Sequence, residues 1–140
     1  MSFATKRRSR LVLVVDDDPI VREHLTSLLV PRGYAVTAVD SIRAARAAVE
    51  QTFFPIAIVD RGLTDGDGLA LCEELRTGTP PNRVFVVVFS GRDDGVEVGR
   101  GLRAGADVYL SKRTSEAELL AYLDAAVLVD QFASGEGNGR

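Results

Sequence analysis

Asp16, Asp17, Asp60, Ser90 and Lys112 are the residues of this chain whose types and settings could do chemistry. Each stands where an apolar run gives out. Leu11–Val15 runs into Asp16-Asp17-Asp18-Pro19, Phe53–Val59 into Asp60, Val84–Phe89 into Ser90, and Ala106–Leu110 into Ser111-Lys112. Like charges crowded at the end of a core strand raise one another's pKa unless something positive sits among them. Three carboxylates are balanced by one divalent cation together with the Lys112 ammonium. A hard cation with oxygen ligands and retained waters describes Mg²⁺, which takes one or two carboxylates plus a substrate phosphate. A carboxylate and a lysine converging on a metal-bound phosphoryl group suit attack of carboxylate on phosphorus, giving an aspartyl phosphate. Metal and ammonium would neutralise charge on the equatorial oxygens.

The elements that must position these groups can be read from periodicity. Five apolar runs, Leu11–Val15, Tyr34–Val39, Phe53–Val59, Val84–Phe89 and Ala106–Leu110, predict five strands. Four are near-continuous and rich in Val and Ile, as strands buried on both faces are. The second alternates with small residues, as an edge strand does. Between them lie helical spacings: Ile20, Val21, His24, Leu25, Leu28 and Leu29, then Ile42, Ala45 and Val49, then Leu69, Cys72 and Leu75. Leu119, Leu120, Leu123 and Val127 line a last helix, opened by the capping box Ser115-Glu116-Ala117-Glu118. Gly91–Gly105 predicts a loosely held helix, because Gly95, Gly99 and Gly101 each lower helix propensity. Asp18 reads as an N-cap with Pro19 in the first helical position. His24 reads as a core or boundary histidine, and Cys72 as core.

Alternation of strand and helix predicts a doubly wound α/β fold, a parallel sheet with about five helices on both faces. Ligands of such sheets bind beyond the carboxyl ends of the strands, where strand order reverses. One arrangement, order 2-1-3-4-5, places the first and third strands side by side there. Asp16, Asp17 and Asp60 then converge, with Ser90 and Lys112 facing them.

The whole chain sets bounds on this reading. Its 140 residues, 46% hydrophobic and 26% charged, suit one globular domain with its own core. A formal charge of −3 gives no general push toward nucleic acid or membrane. No apolar stretch is long enough for a membrane span or a signal peptide. The single cysteine, Cys72, suits a reducing cytoplasm, which is the expected location. Residues 1–10 are read as a flexible basic arm, 11–130 as the domain, and 131–140 as a flexible tail or the start of a linker.

Taken in order, Val14-Val15-Asp16-Asp17-Asp18-Pro19, Ile58-Val59-Asp60, Asp67-Gly68, Phe89-Ser90-Gly91, Gly105-Ala106-Asp107 and Tyr109-Leu110-Ser111-Lys112 carry a resemblance. Over roughly residues 10–130 the chain resembles a response-regulator receiver domain. The resemblance implies a flavodoxin-like sheet of order 2-1-3-4-5. It implies that Asp60 accepts a phosphoryl group from a sensor histidine kinase or phosphotransfer protein. Asp17, Asp60 and the Gly62 carbonyl would bind Mg²⁺ directly and Asp16 through water. Ser90 and Lys112 would contact phosphoryl oxygens. Ser90 and Tyr109 would form a switch that alters the surface of the fourth helix, fifth strand and fifth helix for an output protein or domain. A phosphorylation-dependent dimer is a further partner this implies, while membrane and nucleic-acid binding by the domain itself are not expected. Its chemistry would be confined to its own phosphorylation and dephosphorylation, not turnover as an enzyme.

The chain also departs from the family's pattern. Lys112 is followed by Arg113 where proline is usual, and Leu63-Thr64 replaces leucine-proline, a change expected to loosen that loop. Gly62 offers no side chain to orient an attacking water, and Arg92 could reach over the phosphoryl group instead. Glu116–Val129 contains no Lys or Arg, which argues against a charge-paired dimer of the kind found in receivers joined to winged-helix domains. Two alternative functions are a receiver-like interaction module that is never phosphorylated and an aspartyl-phosphate phosphatase built on Asp16-x-Asp18, Ser90 and Lys112. The phosphatase needs a further acidic pair after the lysine, and the chain offers only scattered acids there.

Overall fold

The computed structural model describes residues 8–77 and 83–133. The strands of its main sheet are β1 (Leu11–Val15), β2 (Ala35–Val39), β3 (Ile56–Val59), β4 (Phe85–Ser90) and β5 (Val108–Ser111). All pair in parallel in the order β2-β1-β3-β4-β5. Valine and isoleucine dominate the three central strands because their branched side chains suit a pleat covered on both faces. β2 lies at an edge and is largely exposed, as its small, alternating residues predict.

Among the described residues five α-helices cover the sheet: α1 (Pro19–Leu29), α2 (Ile42–Gln51), α3 (Gly68–Arg76), α4 (Gly95–Arg103) and α5 (Glu116–Ala133). Alternate strand residues feed two cores. Val12, Val14, Ile58, Val87 and Phe89 meet Leu25 and Leu29 of α1 and Leu119, Leu123 and Val127 of α5. Leu13, Val15, Val59, Val86 and Val88 meet Ile42 and Ala45 of α2 and Leu71 and Cys72 of α3. Caps set where the helices begin: the side chains of Asp18, Ser41, Asp67 and Asp94 each accept a first-turn amide. Ser115 Oγ accepts from Glu118 N at 3.1 Å, the serine half of the expected capping box.

Several expected bounds shift for local reasons. β3 starts at Ile56, after Pro55, which has no N–H to place in a ladder and uses its carbonyl to accept from Phe85 N. β5 starts at Val108, because the Asp107 carboxylate caps the strand end by accepting from Val86 N at 2.8 Å and Arg76 at 2.8 Å. Tyr34 belongs to the turn after α1, and its hydroxyl donates to Asp124 of α5 at 2.6 Å.

Ile20 and His24 do not share the inner face of α1. Ile20 is 76% exposed, and the half-exposed His24 imidazole pairs with Glu116 at 3.1 Å. Their angular positions fall on the flank, and Val21, Leu25, Leu28 and Leu29 make the inner face. Residues 8–10, expected within the flexible basic arm, are packed against the domain. Ser9 is buried and donates to Asp130, while Arg8 and Arg10 lie over the rings of Phe53 and Tyr34. α5 continues past residue 130 to Ala133. The rest of the expected arm and tail, residues 1–7 and 134–140, lies outside the described residues. Among the described residues no helix is long and apolar enough to cross a membrane.

Candidate phosphoacceptor site

Pairing of β1 with β3 brings Val15 level with Val59, so the residues that follow, Asp16 and Asp60, emerge together at the carboxyl edge. Asp16, Asp17 and Asp60 each offer one carboxylate oxygen within 4.8 Å of the others. Lys112, one residue past β5, lays its ammonium between two of them. Nζ stands 2.9 Å from Asp16 Oδ2 and 3.1 Å from Asp60 Oδ2. Asp18, the third acid of the run, is turned away as the cap of α1, while its own N–H donates to Asp16 Oδ1 at 2.9 Å.

The electrostatics follow from burial. The Asp16 side chain is 2% exposed. Burial pushes its carboxyl above the usual value, against the pull of the Lys112 and Asp18 hydrogen bonds, and the charge of Asp60 adds to the rise. Burial works against the Lys112 ammonium too, but hydrogen bonds to Asp16 and Asp60 outweigh it and hold its pKa above that of a free lysine. Three oxygen ligands of this charge fit a hard divalent cation, with Lys112 as the second positive group.

Around this centre stand the remaining predicted residues. Ser90, buried at the end of β4, accepts from Arg92 N at 3.1 Å through Oγ, and its carbonyl accepts from Lys112 N at 3.1 Å. Tyr109 on β5 rests its ring against Gly101 of α4, where a Cβ would overlap the ring, and donates its hydroxyl to the Arg92 carbonyl. Gly62 is exposed, and a Cβ there would lie 3.7 Å from Arg92 Nη2. Cys72 is fully buried, as its spacing predicts.

The loop after Asp60 is tied on several sides, contrary to the loosening expected from Leu63-Thr64. Gly62–Leu63 and Gly66–Asp67 form a small antiparallel hairpin. The Asp65 carboxylate at its tip accepts from Ile42 N and Arg43 N at 3.0 Å each, and those amides hold its pKa below the usual carboxylate range. Gly68 N donates to Arg61 O, and a Cβ on Gly68 would overlap the Asp60 carbonyl oxygen, so only glycine fits there.

Arg113, in the place of the usual proline, uses what proline lacks. Its N–H donates to Ser111 Oγ at 3.1 Å, while its guanidinium and that hydroxyl both reach Asp93 Oδ2, at 3.2 and 2.8 Å. Sequence reasoning missed Asp65, Asp93 and, above all, the buried Arg61. Nothing in its sequence setting, a lone cation directly after Asp60, signals that Arg61 is buried.

A family profile described as response regulator receiver domain matches residues 12–124. The transcriptional regulatory protein GltR of Pseudomonas aeruginosa is 34% identical over 128 residues, covering 91% of this chain and 53% of its own length. The virulence transcriptional regulatory protein PhoP of Salmonella typhimurium is 37% identical over 115 residues, 81% of this chain and 50% of its own. The chain thus spans about half the length of these curated relatives. Among solved structures, a CheY-like response regulator receiver domain protein from Methanospirillum hungatei is similar, with a TM-score of 0.79, 25% identity, and coverage of 87% and 96% of the two chains. The beryllofluoride-activated receiver domain of Klebsiella pneumoniae RstA gives a TM-score of 0.77 at 25% identity, covering 84% of this chain and 97% of its own.

Proposed function

This chain belongs to the response regulator receiver domain family, and from that premise we propose that it is a phosphorylation switch with Asp60 as its phosphoacceptor. One observation carries the proposal: three carboxylates converge within 4.8 Å while a lysine ammonium bridges two of them. Asp16, Asp17 and Asp60, with the Gly62 carbonyl, would hold Mg²⁺, which supplies positive charge to the phosphoryl oxygens when bound.

The chain's own residues do the rest. An Asp60 carboxylate oxygen forms the new bond to phosphorus as the bond to the donor's phosphohistidine nitrogen breaks. The Lys112 ammonium, already at Asp60 Oδ2, pairs with charge on the transferred group. Ser90 exchanges its bond with the Arg92 amide for one to a phosphoryl oxygen, and Tyr109, tied to the same Arg92 through its hydroxyl, feels that exchange. An added phosphoryl group brings three acceptor oxygens and a charge of about −1.5 to −2, enough to bias such a loop. The donor is a sensor histidine kinase or phosphotransfer protein. The recipient is an output protein or domain meeting the α4, β5 and α5 surface, and the setting is cytoplasmic. The domain acts as a phosphoacceptor and is not a turnover enzyme. The Asp18 side chain is already engaged as a helix cap, which leaves the phosphatase reading without its second aspartate.

The test is labelling of the chain by acetyl phosphate with Mg²⁺, read by intact mass. One phosphoryl group is expected per chain, absent in Asp60→Asn and absent when Mg²⁺ is chelated. Labelling that persists in Asp60→Asn sinks the assignment; steady release of phosphate from a phosphomonoester would instead revive the phosphatase.

A further inference from the structure

Arg61 follows the acceptor aspartate and has no part in the chemistry above. Its side chain is 2% exposed, so a full charge lies in the interior between β3, α3 and α4. Nη1 donates to Glu97 Oε2 at 2.6 Å, in the first turn of α4, and Nη2 to Asp67 Oδ2 at 3.2 Å, the cap of α3. The buried Nε has no hydrogen-bond partner. Taking a guanidinium out of water is expensive, and apolar side chains of similar volume often replace buried ion pairs with no loss of stability. A contribution to position, not to stability, fits such a buried charge.

The backbone of the same residue holds the acceptor. Arg61 N donates to Asp60 Oδ1 at 2.8 Å, and Arg61 O accepts from Leu63 N at 3.1 Å and Gly68 N at 2.9 Å. At the other end, α4 is thinly packed apart from the Tyr109 ring against Gly101. It carries three glycines, its buried residue is Gly101, and Val96 and Leu102 face solvent. Low helix propensity and little apolar burial leave the Tyr109 ring at Gly101 and the Glu97 pair with Arg61 to hold it, and the second is the contact that ties it to the residue beside Asp60.

We propose that Arg61 is a positioning residue, a strut that grips the Asp60 carboxylate with its amide and the first turn of α4 with its guanidinium. A change of charge at Asp60 then reaches α4 through the Arg61–Glu97 pair. What loads Asp60 rests on the phosphoacceptor reading; the tether itself does not.

Amide hydrogen exchange on the full chain tests both parts. Arg61→Met keeps length without charge, and Glu97→Gln keeps shape and an acceptor. In each, amides of α4 are expected to exchange about tenfold faster while those of β1 and β3 keep their rates. The double variant should be no faster than the faster single, because one interaction is lost in all three. Arg61→Lys should recover part of the protection, since an ammonium can serve one of the two acids at a time. Loading with beryllofluoride and Mg²⁺ should then change α4 exchange in the wild type and change it much less in Arg61→Met, where the Ser90–Arg92–Tyr109 contacts alone remain. Unchanged α4 rates, uniform acceleration across the sheet, or additive effects overturn the tether. An α4 response as large in Arg61→Met as in the wild type overturns the coupling. If the wild type takes up no beryllofluoride at Asp60, the phosphoacceptor reading and the coupling fall together, and exchange in the unloaded chain still decides the tether.

Discussion

Asp16 and Asp60 would repel across a short gap were the Lys112 ammonium not between them, and this makes Lys112 the residue on which the site's balance turns. Lys112→Met leaves Asp16 buried beside two other acids. Because Lys112 itself is partly exposed, solvent screens part of the effect, and the expected loss of stability near neutral pH is about 1–3 kcal/mol. The sign with pH follows from Asp16, whose pKa is already raised. A carboxyl with a raised folded pKa opposes folding most when ionised, so the deficit shrinks as pH falls and protons replace the missing ammonium. A divalent cation should do the same, raising the Tm of Lys112→Met more than that of the wild type. Denaturation with and without Mg²⁺, at two pH values, checks this. A deficit indifferent to both would mean that Lys112 acts only through packing of its stem.

Elements tell how far the sequence carried and where it stopped. Valine-rich runs and helical spacing made a parallel sheet covered on both faces legible, whereas its order, and with it the convergence of Asp16, Asp17, Asp60 and Lys112, was one open arrangement that the family resemblance selected. Strand starts were less legible, since Pro55 and Asp107 act on hydrogen bonds and not on hydropathy. Arg61 was not legible in kind. A lone cation after an acid reads as surface, and only closure of the α3 and α4 N-termini around it makes it interior. The glycines of α4 divide in the same way once their surroundings are known. A Cβ at Gly99 would meet only the flexible end of Arg103, at 3.3 Å, whereas at Gly101 it would overlap the Tyr109 ring. Gly99→Ala is therefore expected to stabilise by about 0.5–1 kcal/mol. Gly101→Ala should destabilise by about 1–3 kcal/mol through displacement of the ring. Thermal denaturation of the pair decides it, and equal gains would show that the ring yields freely.

For the whole molecule, the central strands serve two cores at once. Val14 and Ile58 face α1 and α5, while their neighbours Val15 and Val59 face α2 and α3. Losing one layer strips the sheet that the other needs, so the two should melt together. Cys72 reports on this from one side. It is fully buried against the α2–α3 face, and burial pushes its thiol up to about 12, with the charge of Asp67 adding to the rise. A raised thiol pKa contributes stability that is present below the ordinary value of 9.0 and drains away as pH climbs toward about 12, where the unfolded thiol ionises first. Near pH 8 the native thiol should resist alkylation and react only through opening. Leu123, fully buried on the opposite face, supplies the perturbation. Leu123→Ala should cost about 2–5 kcal/mol and speed Cys72 alkylation by the matching factor, roughly tenfold for each 1.4 kcal/mol. Cys72 that stays protected while Leu123→Ala lowers the denaturation midpoint would mean that the layers open independently. Cys72 that reacts in step ties the α5 surface to the α2–α3 face through the strands whose ends carry Asp16 and Asp60.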